Sequence, residues 1–169
     1  MAATLAMTLN LQVQALYNNS VGMAGAVGSV QKSLVASLAS GVGANQGDKI
    51  FTELAKAISG NYDVDLSGSL TDVYGTVISF ARIKGFAIFR DQYSADSGNV
   101  IMGGAAATQW VGPFGAAAHT IAVKNGGAMI YYAPDAAGWP VVGGASDLLR
   151  FAPSAGTQNF DWMIWGASA

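Results

Sequence analysis

TVISFARIKGFAIFRD, residues 76–91, is the longest stretch of strand-forming residues in the chain. It is rich in Val, Ile and Phe, the side chains that fit a pleated, half-buried surface. Gly85 interrupts it and predicts a bulge or bend. Downstream, NVIMGG (99–104) reads as a short strand and QWVGPFG (109–115) as another with a turn. HTIAVK and AMIYYA flank Asn125-Gly126-Gly127 within 119–133, and Asn and Gly tolerate the positive φ of tight hairpin turns. That unit predicts a hairpin. PDAAGWP (134–140) is a turn, and DLLRFA (147–152) and FDWMIWG (160–166) close the chain as short strands.

Upstream, YDVDL (62–66) alternates, with Tyr62, Val64 and Leu66 on one face and Asp63 and Asp65 on the other. KIFTELAKAI (49–58) fits a short helix or a strand, and its surroundings favour the strand. GVGANQGD (41–48) is a loop. VQKSLVASLA (30–39) fits either element, and Asn18 to Gly28 reads as a small, glycine-rich loop. TLAMTLNLQVQAL (4–16) has a period of two. Leu5, Met7, Leu9, Leu11, Val13 and Ala15 share one face, and Thr4, Thr8, Asn10, Gln12 and Gln14 fall mainly on the other. The sum is nine to eleven short strands between Gly, Pro, Asn and Asp turns, without βαβ alternation. Such spacing predicts an all-β single domain over 1–169, a sandwich or barrel, with residues 1–40 as an N-terminal arm or peripheral strand segment.

Charge is scarce. Eight Lys and Arg and ten Asp and Glu make 11% of 169 residues, against roughly 25% in an ordinary soluble domain. A surface with so few charges predicts burial in lipid or against other protein copies. No stretch approaches ~18 consecutive apolar residues, and Met-Ala-Ala-Thr-Leu lacks a charged segment, so neither a membrane helix nor a targeting segment is expected. Net charge is −2 with no basic run beyond Arg82 and Lys84, which excludes a nucleic-acid stripe. Faces carrying Thr, Asn, Gln and Ser instead of Lys and Glu suit contact with neighbouring subunits, because they hydrogen-bond without the cost of burying ions.

The residues nominate no chemistry. His119 is the one histidine, at a strand start without an acidic partner, and reads as structural or exposed. With one His and no Cys there is no zinc set and no disulfide. Asp63-Val-Asp65-Leu-Ser67-Gly68 begins like a calcium loop, but its twelfth position is Tyr74 where a bidentate Glu is required. Glu53 is the one glutamate, and the nine Asp nominate no catalytic pair. No G-x-S-x-G elbow or phosphate loop is present. Catalytic, cofactor and metal residues are therefore expected to be none. Trp110, Trp139, Trp162 and Trp165, with Gln12 and Gln14, are the interface candidates. Trp162 and Trp165 are three apart, so a strand sends them to opposite faces, one to the core and one toward a neighbour or solvent.

VGPFG (111–115), HTIAVKNGGAMIYYAPDAAGWPV (119–141), DLLRFAPSAGT (147–157) and FDWMIWGASA (160–169) together resemble a family of small tailed-bacteriophage proteins. GANQGDKIFTE (43–53) and DLSGSLTDVYGTVISFARIKG (65–85) resemble the same family upstream. The likeness runs from about residue 41 onward and is one of whole pattern, not of a catalytic motif. Phe160, Trp162 and Trp165 depart from it, standing where the pattern has Tyr, Ile and Ile. The resemblance implies a virion structural protein, foremost a capsid decoration (cement) protein with a jelly-roll-like β-sandwich. It would be made in the host cytoplasm and sit on the capsid surface as a homo-oligomer, a trimer, against the major capsid protein or another virion protein. A glycan-binding module of a tail, baseplate or fibre is the alternative.

Overall fold

Two four-stranded antiparallel layers carry the core. The computed structural model describes residues 4–21, 24–93, 95–105 and 107–169, the side chains of 17–27 excepted. Its strands are β1 (Met7–Val21), β2 (Ala24–Ser40), β3 (Gln46–Gly47), β4 (Lys49–Ile58), β5 (Tyr62–Asp65), β6 (Leu70–Thr71) and β7 (Val77–Ile78). There follow β8 (Arg82–Phe89), β9 (Val100–Gly103), β10 (Thr120–Val123), β11 (Ala128–Tyr132), β12 (Trp139–Pro140), β13 (Leu148–Pro153) and β14 (Gln158–Ala167). One layer runs β11-β8-β14-β4, with β12 beside the start of β8; the other runs β10-β9-β13-β5.

The chain crosses between layers at β4 to β5, β5 to β8, β8 to β9, β10 to β11, β11 to β13 and β13 to β14, and stays in one layer only from β9 to β10. That order is a jelly roll, two interleaved Greek keys that leave few long edges. Alternation fills the space between the layers. Phe160, Trp162 and Ile164 of β14, Leu149 and Phe151 of β13, and Val100 and Met102 of β9 point inward and are buried together. Phe151 lies between Phe160 and Trp162, with centroids 5.0 Å from each.

β8 is buried along nearly its whole length on both faces. That explains why 76–91 reads as a continuous apolar run and not an alternating one. Its inner face meets the sandwich core; its outer face lies under Leu38 of β2. The irregularity expected at Gly85 is present, because pairing with β14 passes from Gly85 to Ile83 and leaves Lys84 as the extra residue. Gly85 itself admits the indole of Trp165: a Cβ there would fall 2.3 Å from the ring and 2.6 Å from the Tyr131 carbonyl oxygen.

Three local expectations change. The turn at 124–127 forms, with the Gly127 amide donating to the Lys124 carbonyl at 3.0 Å. Yet β10 pairs with β9 and β11 with β8, so the segment is an arch between layers and not a hairpin. A tight turn reverses the chain but does not choose its hydrogen-bonding partner. Over 109–115 the structure has an isolated bridge at Gln109 and a 3-10 turn, Gly112–Phe114, in place of a strand; Pro113 removes a ladder donor. Of the glycine-rich stretch expected as a loop, 18–21 and 24–28 are strand, and 22–23 lie outside the described residues. β1 and β2 pair through it without a break from Met7↔Leu38 to Val21↔Ala24.

Candidate interaction surface

β1 and β2 form a two-stranded ribbon of 15 paired positions. At about 3.3 Å per residue it is about 50 Å long. Side chains directly opposite each other share a face, so the register sorts them. One face carries Met7, Leu9, Leu11, Val13 and Ala15 with Leu38, Ala36, Leu34, Lys32 and Val30. The other carries Thr8, Asn10, Gln12, Gln14 and Leu16 with Ser37, Val35, Ser33, Gln31 and Ser29. The apolar face begins inside the protein and ends outside it. Leu38 is 2% exposed, Leu34 43% and Val30 71%; on the facing strand Leu11 is 38% and Val13 61% exposed. Leu38 packs with Trp165 and Ala87, and Met7 joins them with Ile50, Phe89, Ile130, Tyr132 and Met163. The ribbon is thus anchored at its base on the outer face of the β11-β8-β14-β4 layer and uncovered toward its tip.

Gln12 and Gln14 lie exposed on the polar face. The four tryptophans divide differently. Trp110 and Trp162 lie in the main core, and Trp165 is buried on the opposite face of β14 beneath Leu38. The opposite-face expectation for Trp162 and Trp165 holds, but the ribbon base takes the place of a neighbour or solvent. Trp139 is half-buried in a ring cluster with Tyr131, Phe86 and Trp110, with centroids 5.5, 6.5 and 6.3 Å away. Trp110 donates from Nε1 to the Pro140 carbonyl at 3.1 Å.

The polar side chains that sequence reading weighed for chemistry are tied to the fold. Glu53 accepts from Lys56 Nζ (3.0 Å), Tyr62 Oη (3.0 Å) and Trp162 Nε1 (3.1 Å). Burial, then the Glu53 charge and hydrogen bond, push the Tyr62 phenol well above its ordinary range. Asp63 takes a two-pronged contact from Arg150 at 2.6 and 2.7 Å, which holds its carboxyl below the usual range against burial. Asp65 Oδ1 accepts from the Ser67 amide and hydroxyl, each at 2.7 Å, so the aborted calcium-loop start is a turn cap. Exposed His119 contacts the Phe114 carbonyl oxygen through Nδ1 at 2.7 Å. Among the described residues no group of three or more His, Cys, Asp or Glu is placed to hold a metal.

Three buried charges, Lys84, Arg90 and Asp147, escaped sequence reading. Arg90, at the end of β8, is fully buried. Its guanidinium donates to Asn159 O (3.2 Å), Gly98 O (2.8 Å), Val123 O (3.4 Å), Asp96 Oδ2 (3.2 Å) and Gln158 Oε1 (2.6 Å). Five acceptors, on the connection between β8 and β9, on β10 and on β14, make this a clamp at one end of the sandwich, using the planar fork that suits Arg to such a site. Asp96 is held below the usual carboxylate range, first by the Asn159 amide, against burial, and then by the Asn159 side chain and Arg90.

A groove of about 1170 Å³ runs beside the ribbon base, between Thr4 and Leu5, β4, and the turn joining β6 to β7. Exposed Tyr74 lines it, as do Asp72 and Asp48. Both carboxylates serve the backbone. Asp72 Oδ1 accepts from the Tyr74 and Thr76 amides at 2.8 Å, and Asp48 accepts from the Ser168 amide at 2.8 Å.

Comparison with known proteins returns no match: no family model, no curated protein and no solved structure is similar to this chain.

Proposed function

We propose that this chain is a structural protein of a tailed-bacteriophage virion, a capsid decoration protein. In this reading it binds the shell of the major capsid protein from outside and associates with copies of itself. It is made in the host cytoplasm and resides on the capsid surface. The observation that carries the reading is the ribbon, a neutral surface left uncovered on a jelly-roll body. A solitary domain in water gains nothing from about 50 Å of two-stranded ribbon with exposed Leu and Val, since isolated two-stranded hairpins are marginal. The sequence resemblance supplies the particle, and jelly rolls are common in viral capsid and lectin domains, although fold alone assigns no function. No reaction is assigned, because the carboxylates and the histidine described above serve the fold.

Antibody raised against the recombinant chain, applied to tailed particles of the phage encoding it, tests the reading. Gold label over the head is expected. Label confined to the tail or baseplate would replace decoration with the tail reading, and unlabelled particles would overturn both. The groove at Tyr74 favours the second reading, a glycan-binding tail or fibre module, because an exposed aromatic ring beside carboxylates is a sugar-stacking arrangement. Against it, those carboxylates already accept from backbone amides of the fold.

A further inference from the structure

We propose that the β1–β2 ribbon is a self-association arm whose apolar face packs on the same face of the ribbons of further copies of this chain. The inference rests on the self-association part of the function proposed above and names the segment that performs it. Two observations select a second copy as the occupant.

The first is continuity. The apolar face is one surface, covered at Leu38 by Trp165 and progressively bare through Leu34 and Val30. What covers its base is apolar, so what covers its tip must be apolar too. The second is charge. Residues 1–47 carry a single charged side chain, Lys32. One lysine among these side chains offers little to a charged partner, whereas alternating Leu, Val and Ala is complementary to itself, as an isologous contact requires.

Lipid is the rival occupant, because amphipathic hairpins also build membrane barrels. Those carry aromatic girdles where the wall meets the headgroups. Residues 4–40 contain one aromatic residue, Tyr17, and Lys32 interrupts the apolar face opposite Val13.

Val13→Glu tests the proposal in the full chain by size-exclusion chromatography with light scattering. The wild type is expected at a multiple of 17.2 kDa and the variant at 17.2 kDa. Val13 is exposed and sits across from Lys32, so the new carboxylate gains a cross-strand partner and the hairpin itself survives. Unchanged emission from the buried Trp162 and Trp165 verifies the body. Gln14→Glu, on the opposite face, is expected to keep the wild-type mass. A Val13→Glu protein that still assembles, or a Gln14→Glu protein that dissociates equally, overturns the arm while leaving self-association standing. A wild type that is monomeric at every concentration overturns self-association itself. Dye release from phosphatidylcholine–phosphatidylglycerol vesicles by the wild type, lost in Val13→Glu, overturns the proposal in favour of lipid.

Discussion

Single residues fix the points where the two layers meet. Glu53 is the one glutamate in the chain, and it satisfies the indole of Trp162, the phenol of Tyr62 and the ammonium of Lys56. Glu53→Gln keeps the shape but removes the charge. We expect a loss of about 1–3 kcal/mol in urea unfolding. The Tyr62 phenol should also titrate at lower pH by ultraviolet absorbance, because the Glu53 charge and hydrogen bond help to raise it. An unchanged Tyr62 titration would count against this account. Gly85→Ala places a methyl group against the Trp165 ring and the Tyr131 carbonyl. Overpacking of a close-packed interior costs about 1–3 kcal/mol. Here one obstacle is backbone that cannot swing aside, so the upper end is expected, read as a lower urea midpoint at unchanged slope. A neutral Gly85→Ala would mean that the Trp165 contact is looser than the structure has it.

At the scale of elements, the Arg90 clamp ties the end of β8 to the loops around Asp96 and Gly98 and to the start of β14. Asp96→Ala leaves a fully buried guanidinium short of its counter-charge, a loss of about 3 kcal/mol where a buried pair is broken. The same carboxylate gives the protein an acid limb. Its folded pKa is depressed, so its contribution is complete above the unfolded value of about 3.9 and fades as pH falls through the folded one. Thermal melts below about pH 4 should therefore steepen less in Asp96→Asn than in the wild type; parallel acid limbs would show that Asp96 does not carry the effect. Elements with local pattern were legible in the sequence. The period of two in 4–16 and 62–66 and the apolar run of 76–91 became β1, β5 and β8. What was not legible is non-local. Nothing at Asn125-Gly126-Gly127 records that β10 and β11 take their ladders from β9 and β8 on opposite layers. The small residues of 18–21 and 24–28 carry no face preference, so their place in the ribbon is set by the register begun at Met7↔Leu38. The candidate surface was half legible. Gln12 and Gln14 lie on the ribbon, whereas the burial of Trp110, Trp162 and Trp165 depends on neighbours distant in sequence.

For the whole molecule, the uneven distribution of charge predicts how an assembly would respond to its medium. Seventeen of the charged side chains lie after residue 47, on or in the body, and Lys32 alone lies on the ribbon. Contacts made by ions weaken in salt, because the screening length falls to about 3 Å at 1 M. Contacts made by Leu and Val do not, and excluded salts such as sulfate strengthen them. Sedimentation in 1 M sodium chloride should show the low-salt oligomer intact, with tighter association in ammonium sulfate. Dissociation by sodium chloride would place the contact on the charged body instead. The strand order has a further consequence, for the time the protein takes to form. β14 is the last of the eight layer strands to leave the ribosome, yet it lies between β8 and β4, which are not neighbours without it. The layer holding Phe86, Phe160, Trp162 and Trp165, half of the buried aromatic rings among the described residues, therefore stays split until synthesis reaches residue 158. The ribbon needs only its own two strands, and hairpins close in about 1–10 μs, whereas sheets built from distant partners take milliseconds to seconds. Under the proposed self-association, each new chain carries an early ribbon, marginal by itself, on an unfinished body, and chains on one polysome can meet through their ribbons before any of them has folded.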